Sequence, residues 1–192
     1  MESRQLFDAE TSTYTYLVWD AKTREAALID SVDTQIDRDL QLISELGLDL
    51  KYTLETHIHA DHITASGKIR DKLGSKAVVH RNSGSDCADI LVVDGDSNAL
   101  GNQQIHILET PGHTDTCISY SIDGVVFTGD ALLIRGCGRT DFQAGDAGTL
   151  YDSIHHKLFS LPDDTIVYPG HDYRGFCVST IGEEKACNPR LG

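Results

Sequence analysis

The run His57-Ile58-His59-Ala60-Asp61-His62 places four potential metal ligands within six residues. Imidazole nitrogen and carboxylate oxygen both bind divalent transition metals. At the end of an extended strand, His57 and His59 project to the same side, because side-chain direction alternates with a period of two. If the chain then turns into a helix, Asp61 and His62 face the same cavity from its first turn. One short segment would then supply two faces of a metal site. A lone histidine is more often a surface or satisfied core residue, but three histidines and an aspartate this close favour a metal over chance by roughly ten to one.

Three distant segments use related chemistry. Pro111-Gly112-His113-Thr114 holds a histidine in a tight turn, Gly129-Asp130 presents a carboxylate, and Pro169-Gly170-His171-Asp172 presents another histidine. Each is weak alone; the set in this order is specific. The elements that must position them are strands. Tyr14 to Trp19 and Ala26 to Ile29 read as a hairpin, followed by a helix carrying Ile36, Leu40, Ile43 and Leu46, with Asp33 as its N-cap and Gly47 after its end. Further strands are expected at 52–56, 76–80, 105–109, 117–122, 125–128 and 165–168, with Asp123-Gly124 as a hairpin turn. Helices are expected at 66–73, ended by Gly74, and at 149–160, where Leu150, Ile154 and Leu158 share a face. Residues 81–102 give no clear pattern. His57, His113, Asp130 and His171 thus each lie just past a strand end, where a rigid scaffold presents functional groups.

Composition narrows the function classes. The 192 residues suit one core, so 1–192 is read as a single domain. With 16 Lys and Arg against 30 Asp and Glu, the formal charge of −14 repels nucleic-acid phosphates and anionic lipid. The content of 40% hydrophobic and 24% charged residues is that of a folded chain. Apolar runs such as 90–93 and 131–134 are too short to span a bilayer. The first ten residues lack the order of a secretion signal and are too acidic for a mitochondrial presequence. The expected compartment is the cytoplasm, or the mitochondrial matrix if a targeting segment is removed from a longer precursor. Cysteines at 87, 117, 137, 177 and 187 are odd in number and form no C-x-x-C pair, so free thiols are expected.

The pattern from Thr56-His57-x-His59-x-Asp61-His62 through His113, Asp130 and His171 resembles the metallo-β-lactamase superfamily. That resemblance implies an α/β fold, an αββα sandwich of two mixed β-sheets flanked by helices, with the metal at one sheet edge. The superfamily's usual site holds one metal with His57, His59 and His113 and a second with Asp61, His62 and His171, bridged by Asp130. Longer stretches, namely 57–64, 127–143, Tyr168-Pro169-Gly170-His171-Asp172-Tyr173 and Asn188-Pro189-Arg190-Leu191, are similar to the persulfide dioxygenases, also called sulfur dioxygenases. The similarity covers nearly the whole chain, which stops at Gly192 where many family members continue. It implies a single Fe(II) per chain bound by His57, His113 and Asp130, with His59, Asp61, His62, His171 and Asp172 supporting those ligands. Two imidazoles and one carboxylate leave open positions on iron, the facial arrangement of non-haem Fe(II) oxygenases.

In this reading, glutathione persulfide, O2 and water give sulfite and glutathione. Arg139 and Arg190 are candidates for the substrate carboxylates. Arg139 and Tyr173 match family positions implicated in glutathione contact, and Tyr173 stands beside the reacting centre. Cys137 is read as a packing residue. Members of the family often form homodimers. Two other functions are weighed: a dinuclear hydrolase of glutathione thioesters resembling glyoxalase II, which uses the same ligand types, and a metal-dependent thiol-binding module without turnover. The chain lacks room for glyoxalase II's helical substrate domain, and residues 133–143 fit the dioxygenases better.

Overall fold

The computed structural model describes residues 1–191. Its first sheet contains β1 (Glu2–Asp8), β2 (Thr13–Trp19), β3 (Glu25–Ile29), β4 (Asp49–Leu54), β5 (Lys76–His80) and β6 (Ile90–Val92), in spatial order β1-β2-β3-β4-β5-β6. The first three strands pair antiparallel and the rest parallel, with α1 (Ile36–Glu45) and α2 (Ser66–Leu73) serving as the crossovers around β4. The second sheet begins with β7 (Ser97–Leu100), β8 (Gln103–Glu109), β9 (Ile118–Ile122) and β10 (Val125–Gly129). A short hairpin of β11 (Leu132–Leu133) and β12 (Gly136–Cys137) and then α3 (Ala147–Ser153) precede β13 (Ile166–Pro169), β14 (Ser179–Thr180) and α4 (Ile181–Cys187). The spatial order is β14-β13-β10-β9-β8-β7, with β10 and β13 parallel.

Alternation along buried strands produces the layers. On β2, Tyr14, Tyr16 and Val18 enter a core between the sheets that also contains Ile107, Tyr120 and Phe127. Leu17 and Trp19 point to the other face, where Ile43 of α1 and Ile69 of α2 cover them. On the second sheet, Val126 and Val167 point outward against Leu150, Ile154, Leu158 and Ile181. Helix, sheet, sheet, helix is therefore the layer order, as the family resemblance implied.

Several local expectations are corrected. Asp33 does not cap α1; it opens a 3-10 turn, Asp33–Gln35, and its carboxylate accepts a hydrogen bond from Lys68 Nζ at 2.8 Å. The helix read at 66–73 is α2, Ser66–Leu73, so Asp61 and His62 lie in the loop before it and not in a helical first turn. The intervening loop is tied to the segment after β3 by Asp33 N donating to Ile63 O and Ala65 N to Ser31 O. The strand read at 52–56 lies at 49–54, and the unclear stretch contains β6 and β7. The helix read at 149–160 begins at Ala147, capped by Asp146, and continues as a π-helical turn over Ile154–Leu158. β4, β8, β10 and β13 do end beside His57, His113, Asp130 and His171.

Candidate metal centre

The first group of ligands comes from three strand ends. One ligand atom each from His57, His113 and Asp130 lies within 4.8 Å of the others. His113 Nε2 stands 3.5 Å from Asp130 Oδ2, and the His57 and His113 rings meet edge to face at 88°. Gly129 makes the approach of β10 to β4 feasible: its φ is +49°, and a Cβ there would collide with the Thr56 side chain.

Hydrogen bonds on the far side of each ring set its tautomer. Thr56 Oγ1 donates its one proton to Asp30 Oδ2 at 2.8 Å, so it accepts at 2.9 Å from His57 Nδ1–H. Asp30 is fixed in turn by accepting from Thr56 N at 2.8 Å. The backbone carbonyl of Arg139 accepts from His113 Nδ1–H at 2.7 Å, and that of Ser12 from His171 Nδ1–H at 3.1 Å. In all three rings the Nε2 lone pair is left facing inward. Burial, followed by the neighbouring imidazoles of His59 and His113, pushes the pKa of His57 well below its ordinary value, keeping it neutral as a ligand must be.

The remaining residues of the cluster are bonded differently. His59 Nε2 faces two buried carboxylates, Asp30 Oδ1 at 3.2 Å and Glu55 Oε2 at 3.3 Å. Burial opposes a charge on His59, but Asp30 and then Glu55 outweigh it and lift its pKa well above the ordinary value. Asp61 is 33% exposed, and His62 Nδ1–H donates to its Oδ2 at 2.9 Å. Burial would raise the Asp61 pKa, but the hydrogen bond and charge of His62 hold it well below the usual carboxylate range. His171 Nε2 lies 3.5 Å from Asp130 Oδ1 and 3.7 Å from Asp61 Oδ2, placing it between the two groups.

A cavity of about 460 Å³ opens over His57, His113 and Asp130 and is lined by Arg139, Tyr173 and Phe142 among others. The Tyr173 ring stacks on His171 at 5.8 Å with an interplanar angle of 8°. The side chain is largely exposed, and its partial desolvation, then the charges of Asp130 and Asp61, raise its pKa. Arg139 is exposed, paired through Nε and Nη2 with Asp141 and lying over the Phe142 ring. Arg190 does not line this cavity; it lines two adjoining ones that share Cys137 with it. Asp172 accepts from Arg174 N at 2.8 Å and from the Tyr14 hydroxyl at 3.4 Å. Cys137 combines packing against the outer core with a place in the cavity wall.

Asp30 and Glu55 were missed by the motif reading. Asp30 had a signal, since it follows strand β3 just as Asp130 follows β10. Glu55 had none beyond its place before Thr56.

The residues fit a metal ion. Asp130 Oδ1 is buried without a hydrogen-bond partner, a costly state that a cation in front of it removes. The inward lone pairs of His57 and His113 are the donors such an ion requires.

Comparison with known proteins agrees with this geometry. The model of the metallo-beta-lactamase superfamily matches residues 9–171. The mitochondrial persulfide dioxygenase ETHE1 of Homo sapiens is 52% identical over 191 residues, covering 98% of this chain and 75% of that protein. The crystal structure of ETHE1 from Myxococcus xanthus is 55% identical, has a TM-score of 0.97, and covers 100% of this chain and 84% of that one. A probable hydroxyacylglutathione hydrolase of Schizosaccharomyces pombe is 32% identical over 166 residues, spanning 83% of this chain and 64% of that protein. No helix among the described residues is long and apolar enough to cross a membrane. The chain belongs to the metallo-β-lactamase superfamily and, within it, to the persulfide dioxygenases.

Proposed function

We propose that this chain oxidises glutathione persulfide with O2, using one Fe(II) held by His57, His113 and Asp130. The observation that carries the reading is that these three side chains turn unpartnered donor atoms toward one another at the floor of a solvent-open cavity. The balanced reaction is glutathione persulfide, O2 and H2O giving glutathione, sulfite and two protons. When bound, ferrous ion supplies the redox chemistry with O2 and open coordination positions, which amino-acid side chains cannot provide.

The chain's own residues do the positioning. Asp30 and Thr56 hold His57, and the Arg139 carbonyl holds His113, so that neither ring needs to reorient. Tyr173 offers its hydroxyl proton to the sulfur or to oxygen arriving on it. Arg139 reads a glutathione carboxylate by exchanging it for Asp141, an exposed partner weakened by water. Arg190 extends the same cationic rim from the adjoining cavities. Asp61 and His171 line the cavity beside the metal, with His59 packed against the His57 ring and His62 bonded to Asp61.

An oxygen electrode tests the reading. Anaerobically prepared, iron-loaded protein is expected to consume O2 and form sulfite with glutathione persulfide. Cleavage of a glutathione thioester without O2 uptake would instead establish the hydrolase, and binding without either reaction would establish a thiol-binding module.

A further inference from the structure

The hairpin β11–β12 starts two residues after Asp130 and leads back to the metal centre through Gly138 and Arg139. A two-stranded hairpin this short has little stability of its own. We infer that Glu184, on α4 behind the hairpin, is a positioning residue for the metal, acting through the hairpin on His113 and Asp130. This inference rests on the proposed metal centre.

Glu184 is fully buried. Its carboxylate accepts from Arg135 N at 2.9 Å, Arg135 Nη1 at 2.5 Å, Ser179 Oγ at 2.7 Å and Asn188 Nδ2 at 2.9 Å. Arg135 sits in the turn between β11 and β12 with φ +59°, a left-handed conformation unfavourable for a side chain of its size. Fixing both its amide and its guanidinium is what Glu184 contributes there. Asn188 Nδ2 also donates to Gly136 O at 3.0 Å, giving the hairpin a second tether.

The other end of the hairpin touches the ligands. Gly138 N donates to Asp130 O at 2.9 Å, and Arg139 O is the acceptor that fixes His113 Nδ1. There is no slack: a Cβ on Gly138 would collide with Asp130 O and stand 3.0 Å from His113 Nδ1. Any shift of the hairpin must therefore move the His113 acceptor. Glu183 shares the Arg135 guanidinium from the exposed side, through Nη2, but takes neither the Arg135 amide nor Asn188, which only Glu184 of the two holds.

The test is metal binding by the whole chain, independent of turnover. Glu184→Gln is expected to weaken Co(II) and Fe(II) affinity about tenfold in chelator competition, the lower end of effects seen for groups behind metal ligands. It is also expected to shift the visible Co(II) bands, which respond to ligand orientation, while far-UV circular dichroism stays that of the parent. Glu183→Gln, which weakens only the exposed contact to Arg135, is expected to give a clearly smaller change in both. Should Glu184→Gln fail to fold, Arg135→Ala removes the guanidinium anchor while keeping a side chain at the positive φ, and the same two shifts are expected. Parent-like affinity and Co(II) spectrum in a folded variant, or an equal effect from Glu183→Gln, would overturn the inference. Failure of the parent chain to bind metal would instead strike the metal centre itself.

Discussion

Two halves of one histidine cluster lie side by side and differ in how their polar atoms are used. In the first half, His57, His113 and Asp130 form no hydrogen bond to one another; His113 Nε2 stands 3.5 Å from Asp130 Oδ2, and Asp130 Oδ1 is orphaned. In the second half, Asp61 and His62 are bonded to each other at 2.9 Å and His59 Nε2 lies between Asp30 and Glu55, although His59 Nδ1 and His62 Nε2 are themselves buried without a partner and could also hold a metal with Asp61. An imidazole carrying both protons has no lone pair for a metal, and the carboxylates beside His59 favour that form. The difference between the halves lies in the partners of each ligand: hydroxyl and carbonyl acceptors behind His57 and His113, carboxylates beside His59 and His62.

The comparison can be broken or sharpened by substitution. The largest effect is expected for His113→Ala, which should abolish iron retention and turnover together, as read by metal analysis after desalting and by O2 uptake. Gly138→Ala drives a methyl group into Asp130 and His113 and should weaken metal binding by about 10- to 100-fold in chelator competition. His62→Ala tests the other half. It should leave the iron content at the parent level while lowering kcat about tenfold; loss of the iron would erase the distinction between the halves. Arg139→Ala, at the rim, should raise KM for glutathione persulfide roughly tenfold with little change in kcat, because the contact it removes is made equally in ground and transition states.

What was legible in the sequence was local. Asp123-Gly124 forms the expected turn, with φ of +50° and +77°, and Gly74 ends α2 with φ +73°. The strand-end placement of His57, His113, Asp130 and His171 was equally readable, because each motif directly follows an apolar run. β1 was missed because its alternation is weak: Glu2-Ser3-Arg4-Gln5 is polar throughout, and the strand is an exposed sheet edge defined by pairing with β2. Asp30 and Glu55 were illegible as a pair because they meet through the parallel register of β3 and β4, in which Ile29 lies beside Leu54. The Arg139 and Ser12 carbonyls that orient two imidazoles carry no side-chain signature at all.

The most direct test titrates Fe(II) anaerobically into metal-free protein and follows O2 consumption with glutathione persulfide at each increment. Activity should rise linearly to about one iron per chain and then stay flat. A requirement for two metal ions per chain, or full activity in protein stripped of metal, would contradict a single ferrous centre at His57, His113 and Asp130.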